Sequence, residues 1–246
     1  MHKERVRTHL LDGVLDIALG DPMMTARQSA ELVELLAEYS EDRELRAVVL
    51  RSESADFCVG IDDELIMQGS YTSSPSPADL LAGLRVPVVA VLTGRVESAG
   101  LELALAADVR LAAPDARFRL SEVSQGRLPC WGGTQRLPRV VGQAAALRMI
   151  LFGEYVVAAD ALHQGLVHEV VDAPLERAGE YTAEWLTRAP LALEYAKEAV
   201  RDGSELRLRE GLALEADLNT LLQTSRDRAE GIAAFLGKRT ASFRNA

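Results

Sequence analysis

Two glutamates carry the strongest chemical signal in this sequence. Glu102 stands in Ala99-Gly100-Leu101-Glu102-Leu103-Ala104-Leu105-Ala106-Ala107, a run with no other charge. A carboxylate there must face solvent, find a partner, or sit in a cavity with a raised pKa. Carboxylates tuned upward toward neutrality suit general acid–base work, while a solvent-facing helical position remains the plain alternative. Glu122 follows 20 residues later, in Phe118-Arg119-Leu120-Ser121-Glu122. That interval accommodates one helix, a strand and a return, so two carboxylates on either side of a cleft could hold one water. Alone, Glu122 reads as a loop acid.

Two segments could supply backbone donors. Phe57-Cys58-Val59-Gly60-Ile61-Asp62 follows an expected strand, and Gly60 allows a sharp turn that leaves N–H groups pointing at a ligand. Ser98-Ala99-Gly100 opens an expected helix, whose first N–H groups lack internal partners and face the positive end of the macrodipole. Converging on one oxygen, two such N–H groups would form an oxyanion hole. Each segment alone also reads as an ordinary turn or a closely packed helix start.

Other chemistries find no support. Gly132-Gly133-Thr134-Gln135-Arg136 reads as a tight turn opening a helix; there is no GxxxxGK[ST] phosphate loop and no GxGxxG after a strand. The four histidines, at 2, 9, 163 and 168, show no relation to a Ser or Cys nucleophile, and Ser98 lacks the GxSxG elbow. Cys58 and Cys130 have neither disulfide-framework nor metal-ligand spacing, so no metal is expected and a reducing cytoplasm is the expected location. A net charge of −10 gives no field to attract nucleic acid or an anionic membrane. Apolar runs fall short of the ~20 residues of a membrane helix, and charges interrupt the opening stretch where a signal peptide would lie.

The elements that must position these groups follow from periodicity. Strands are expected at 13–19, 45–50, 87–92, 109–112 and 166–171, and helices across 25–40, 78–84, 98–108, 143–152, 158–164 and 174–188. The segment 69–77 reads as an exposed loop. Helices at 191–201, 206–224 and 226–236 close the chain, the last with Ser225 as N-cap and Gly237 as stop. With 246 residues and 48% hydrophobic composition, the chain fits an α/β core carrying a helical C-terminal element.

FCVGID (57–62), AGLELALAAD (99–108), FRLSEV (118–123) and WGGTQRLPRVVG (131–142), with AKEAV (196–200), EGLALEADL (210–218) and EGIAAFLGKR (230–239), resemble the enoyl-CoA hydratase/isomerase (crotonase) superfamily. The resemblance implies a crotonase-like spiral of ββα units over 1–190. It implies a helical region over 191–246 for oligomerisation and active-site cover, in a homotrimer or a hexamer built as a dimer of trimers. It implies a hydro-lyase of fatty-acid metabolism that adds or removes water across C2–C3 of a 2-enoyl/3-hydroxyacyl-CoA, with the thioester as substrate and no other cofactor. Glu102 and Glu122 match the acid–base pair: one activates the water attacking C3, and Glu122 is favoured for the C2 proton. The backbone N–H groups of Ile61 and Ala99 match the oxyanion hole, and Val59, Gly60, Asp62, Gly100 and Trp131 match substrate contacts.

The sequence also departs from the family pattern. Glu97-Ser98-Ala99 stands where a glycine run is usual, and Asp63-Glu64 where a Lys is common. These departures keep open an isomerase, decarboxylase or carbon–carbon lyase acting on a specialised CoA or carrier-protein thioester. Glu97 itself reads as either a surface acid or a substrate-selecting one.

Overall fold

The computed structural model describes residues 5–72 and 74–244; the opening residues 1–4, Ser73 of the expected 69–77 loop, and 245–246 lie outside the described residues. Strands Arg7–Leu11 (β1) and Val14–Leu19 (β2) form a hairpin, Met23–Met24 (β3) leads into helix Ala26–Ser40 (α1), and Ala47–Ser52 (β4) follows. Next come Gly60–Ile61 (β5), the helices Asp63–Gln68 (α2) and Pro77–Gly83 (α3), and the strands Val88–Leu92 (β6) and Arg95–Glu97 (β7). Helix Ala99–Ala106 (α4) is followed by Val109–Ala112 (β8), Arg117–Arg119 (β9) and helices Gly133–Val141 (α5) and Gln143–Phe152 (α6). Val156–Val157 (β10), Ala158–His163 (α7), Glu169–Val170 (β11) and Pro174–Leu186 (α8) lead to the helices Pro190–Gly203 (α9), Leu208–Gln223 (α10) and Arg226–Leu236 (α11).

The main sheet has the order β1-β2-β4-β6-β8-β11, antiparallel only at β1/β2. Its central strands are apolar runs buried on both faces, as parallel sheets require: every residue of β6 is buried, and so are Ala47–Leu50 of β4. A small sheet, β10-β9-β7, and the parallel pair β3-β5 carry the segments around the glutamates.

The chain divides into two compact units. One comprises the chain as far as Leu84 with Val88–Gly179, and the other comprises Arg85–Pro87 with the chain from Glu180 onward. Within the second unit, an Arg85–Glu194 ion pair ties the short segment to α9, while Gly203 and Gly211 let α9 and α10 approach closely.

Most expected elements are present with shifted ends. The clearest omission is β1, whose five residues are all exposed and so carry no burial alternation. Its hairpin turn is Asp12-Gly13, with φ of 51° and 80°, the left-handed pair that a two-residue hairpin loop demands. The expected strand 166–171 is confined to Glu169–Val170, and the 69–77 segment contains a 3-10 turn at Ser70–Thr72. Helix α3 starts inside that segment at Pro77, with Ser76 and Asp79 forming a capping box.

Gly100 lets α4 approach the β5 loop. A Cβ there would lie 2.4 Å from the Cys58 carbonyl oxygen and 2.7 Å from Cys58 Cβ. Because the obstacle includes backbone, Gly100→Ala is expected to cost about 2–3 kcal/mol in urea unfolding. An unchanged midpoint would contradict this packing.

Candidate active site

Helix α4 is buried on all sides, which is why its apolar run shows no amphipathic stripe, and Glu102 is buried with it at 1% exposure. Its carboxylate is not left bare. Glu102 Oε1 accepts the Trp131 N–H at 2.7 Å and the Gly133 N–H at 2.8 Å. Gly132 turns the chain with φ of 101°, and a Cβ on Gly133 would lie 3.1 Å from both Glu102 Cγ and Oε1. The glycine pair expected to open a helix therefore also cradles a carboxylate. Trp131 Nε1 donates to the Tyr71 carbonyl at 2.7 Å, and Arg136 donates to the Trp131 carbonyl at 2.6 Å and to Asp79 at 2.8 Å.

Glu102 Oε2 has no protein hydrogen-bond partner among the described residues. Burial raises the Glu102 pKa from 4.5 to about 7; the charge of Glu122 adds to this, and the Gly133 and Trp131 N–H bonds only partly offset it. Desolvation outweighs the bonds.

Glu122 begins a 3-10 turn, Glu122–Gln125, instead of lying in an irregular loop, and is 2% exposed. Both of its carboxylate oxygens are buried without a protein partner among the described residues. Cys130 joins the same neighbourhood: its thiol is pushed up to about 12, by burial first and then by the charges of Glu102 and Glu122. It is protonated at neutral pH and so not a nucleophile. The spacing of Cys130 carries no sign of this neighbourhood, and nothing in the sequence marks Gly133 and Tyr71 as supports of the site.

The two donor segments adjoin. A Cβ on Gly60 would lie 3.9 Å from Ser98 Cβ, and the Glu97 N–H donates to the Cys58 carbonyl at 2.8 Å. Ser98, a non-glycine residue at φ 50° and ψ −121°, precedes Ala99, whose N–H is the first of α4. On the other segment, Val59 N–H donates to Pro22 and Asp62 N–H to Met24, flanking Ile61. Ile61 and Ala99 are both buried, at 7% and 0% exposure.

Of the expected substrate contacts, Asp62 spends its carboxylate capping α2 through the Leu65 N–H at 2.8 Å, and Trp131 is buried to 1%. Glu97 is not a surface acid: it is 2% exposed and bonded to Arg119 and Tyr155. Among the described residues, no group of three or more His, Cys, Asp or Glu is placed to hold a metal ion, and no helix is long and apolar enough to cross a membrane.

The raised Glu102 pKa predicts a pH-dependent stability. Between 4.5 and about 7 the folded state holds more protons than the unfolded chain, so stability falls as pH rises through that window. Unfolding free energies of the wild type and Glu102→Gln are expected to diverge by about 3 kcal/mol across it, the wild type losing more. Parallel curves would contradict the burial argument.

The enoyl-CoA hydratase/isomerase family model matches residues 10–246. The chain is 39% identical over 221 residues to 2,3-dehydroadipyl-CoA hydratase of Escherichia coli K12, covering 87% of each chain. It is 33% identical over 235 residues to (E)-benzylidenesuccinyl-CoA hydratase of Thauera aromatica, covering 89% of each. Among solved structures, enoyl-CoA hydratase from Bacillus anthracis superposes with a TM-score of 0.90 at 29% identity, over 98% of this chain and 99% of that one. EchA1 from Mycobacterium marinum superposes at 0.92 and 26% identity over the whole of both chains. With this coverage by model, sequence and fold, the chain belongs to the enoyl-CoA hydratase/isomerase (crotonase) superfamily and has its α/β fold.

Proposed function

We propose that the protein hydrates 2-enoyl-CoA thioesters, and dehydrates 3-hydroxyacyl-CoA in reverse, using Glu102 and Glu122. The observation that carries this reading is the pair of buried carboxylates. Three of their four oxygens lack protein partners among the described residues, while the fourth is fixed by two backbone N–H groups. Hydration needs one carboxylate to take a proton and one carboxylic acid to give one. The raised pKa of Glu102 lets that carboxyl group exchange a proton near neutral pH.

In this reading the N–H groups of Ile61 and Ala99 hold the thioester carbonyl oxygen as it gains enolate charge. Glu102, oriented through Oε1, uses Oε2 to take a proton from water while the water oxygen bonds to C3. Glu122 delivers a proton to C2 and is reprotonated by the proton that Glu102 took from water, so one water is added and no redox step occurs. Val59, Gly60, Gly100 and Trp131 surround the acyl thioester, with Asp62 shaping the loop. The C-terminal helices from 191 serve assembly as a trimer or dimer of trimers; exposed Leu208, Leu212, Phe235 and Leu236 supply apolar surface for this. The thioester is the only small molecule the reaction requires, and the setting is cytoplasmic. The hydratase names of the relatives point the same way.

Loss of conjugated-thioester absorbance from a panel of 2-enoyl-CoA substrates tests the proposal. Turnover is expected, with Glu102→Gln and Glu122→Gln each slower by about 10²–10⁴-fold. A folded wild type that hydrates none of them would overturn the reading. Dependence on only one glutamate would favour an isomerase or decarboxylase instead.

A further inference from the structure

Among the described residues, Glu97 is the one buried carboxylate near the site that the proposed chemistry leaves unused. It ends β7, two residues before Ala99, and its side chain is 3% exposed. Both oxygens are engaged by other side chains. Oε1 accepts the Tyr155 hydroxyl at 2.6 Å; Oε2 accepts Arg119 Nε at 3.1 Å and contacts Arg119 Nη2 more closely. The Arg119 guanidinium also lies 4.4 Å above the Tyr155 ring, closing a three-residue cluster, with Arg95 Nη1 at 4.0 Å from Glu97.

The cluster grips the backbone that carries Ala99. Arg119 holds Glu97 by its side chain and accepts the Ser98 N–H through its own carbonyl at 2.9 Å. The Glu97 N–H is anchored to Cys58, on the segment that carries Ile61. Between these anchors Ser98 takes φ 50° and ψ −121°, a conformation that a residue with a side chain holds only where its surroundings enforce it. The Ser98 ψ angle sets the plane of the 98–99 peptide, and therefore the direction of the Ala99 N–H.

We infer that Glu97 is a positioning residue: clamped by Arg119 and Tyr155, it holds Ser98 in its strained conformation and so aims the Ala99 N–H at the thioester oxygen. This rests on the reading of Ala99 as an oxyanion donor. It also gives the acidic departure from a glycine run a purpose, since a non-glycine chain at Ser98 needs an external hold that fixes its backbone.

Two measurements on the intact protein test this. The first is kcat and KM for hydration of a 2-enoyl-CoA; the second is the ¹³C NMR shift of a bound saturated acyl-CoA labelled at the thioester carbonyl, which reports carbonyl polarisation without turnover. Glu97→Ala is expected to lower kcat by about 10- to 100-fold with KM within about threefold, and to reduce the downfield carbonyl shift seen with the wild type. Glu97→Gln, which keeps an acceptor for Tyr155, should recover part of both. Tyr155→Phe keeps the Arg119 pair and should lose only about threefold, serving as the folded comparison if Glu97→Ala does not fold. Wild-type kcat and carbonyl shift in folded variants would overturn the inference, as would a wild type that does not shift the carbonyl on binding. A wild type that shifts the carbonyl yet hydrates nothing would remove the hydratase reading alone, and the NMR comparison would still decide the role of Glu97.

Discussion

Glu102 is a carboxylate placed inside a helix with no exposed face, and the grip of two backbone N–H groups on its Oε1 is the interaction on which the site depends. An isolated buried charge would be far too costly, and two hydrogen bonds at 2.7 and 2.8 Å make the position tolerable without cancelling the cost of burial. The residual imbalance keeps its pKa near 7, where a carboxyl group can exchange protons readily. Much of the surrounding sequence serves that grip. Gly133 leaves room for the carboxylate, Gly132 turns the chain, and Arg136, Asp79 and Tyr71 hold the Trp131–Gly133 segment in place.

Two buried glutamates close in sequence thus have opposite fates. Glu97 has both oxygens taken by Arg119 and Tyr155, so its charge is matched and its side chain is fixed. Glu102 has one oxygen taken and one open, and Glu122 has both open among the described residues. Matched buried charge lends geometric definition, whereas unmatched buried charge is available for chemistry. The short segment Glu97-Ser98-Ala99 joins the two kinds of environment.

Legibility in the sequence followed burial. Glu102 stood out because a lone charge in an apolar run has few comfortable places to go. The parallel core was readable for the same reason: β4 and β6 are near-continuous apolar runs. Glu122 offered no such contrast, since it stands among mixed polar and apolar residues and its burial arises from tertiary packing; its spacing from Glu102 and the family resemblance singled it out. Strand β1 was missed because an exposed edge strand has no alternation, although its Asp12-Gly13 turn was a usable signal. The Glu97 clamp joins residues 22 and 58 positions apart, and spacing alone could not bring them together. Cys130 and Tyr71 became site neighbours through chain folding in the same way.

The central claim is that Glu102, buried and held through one oxygen, must ionise before it can take a proton from water. Its most direct test is the pH dependence of kcat/KM for a 2-enoyl-CoA across neutrality, which in the free enzyme reports groups of this kind. The account predicts an acid limb, with kcat/KM falling as pH is lowered through about 7. A profile that stays flat to well below that point, with robust turnover, would contradict it.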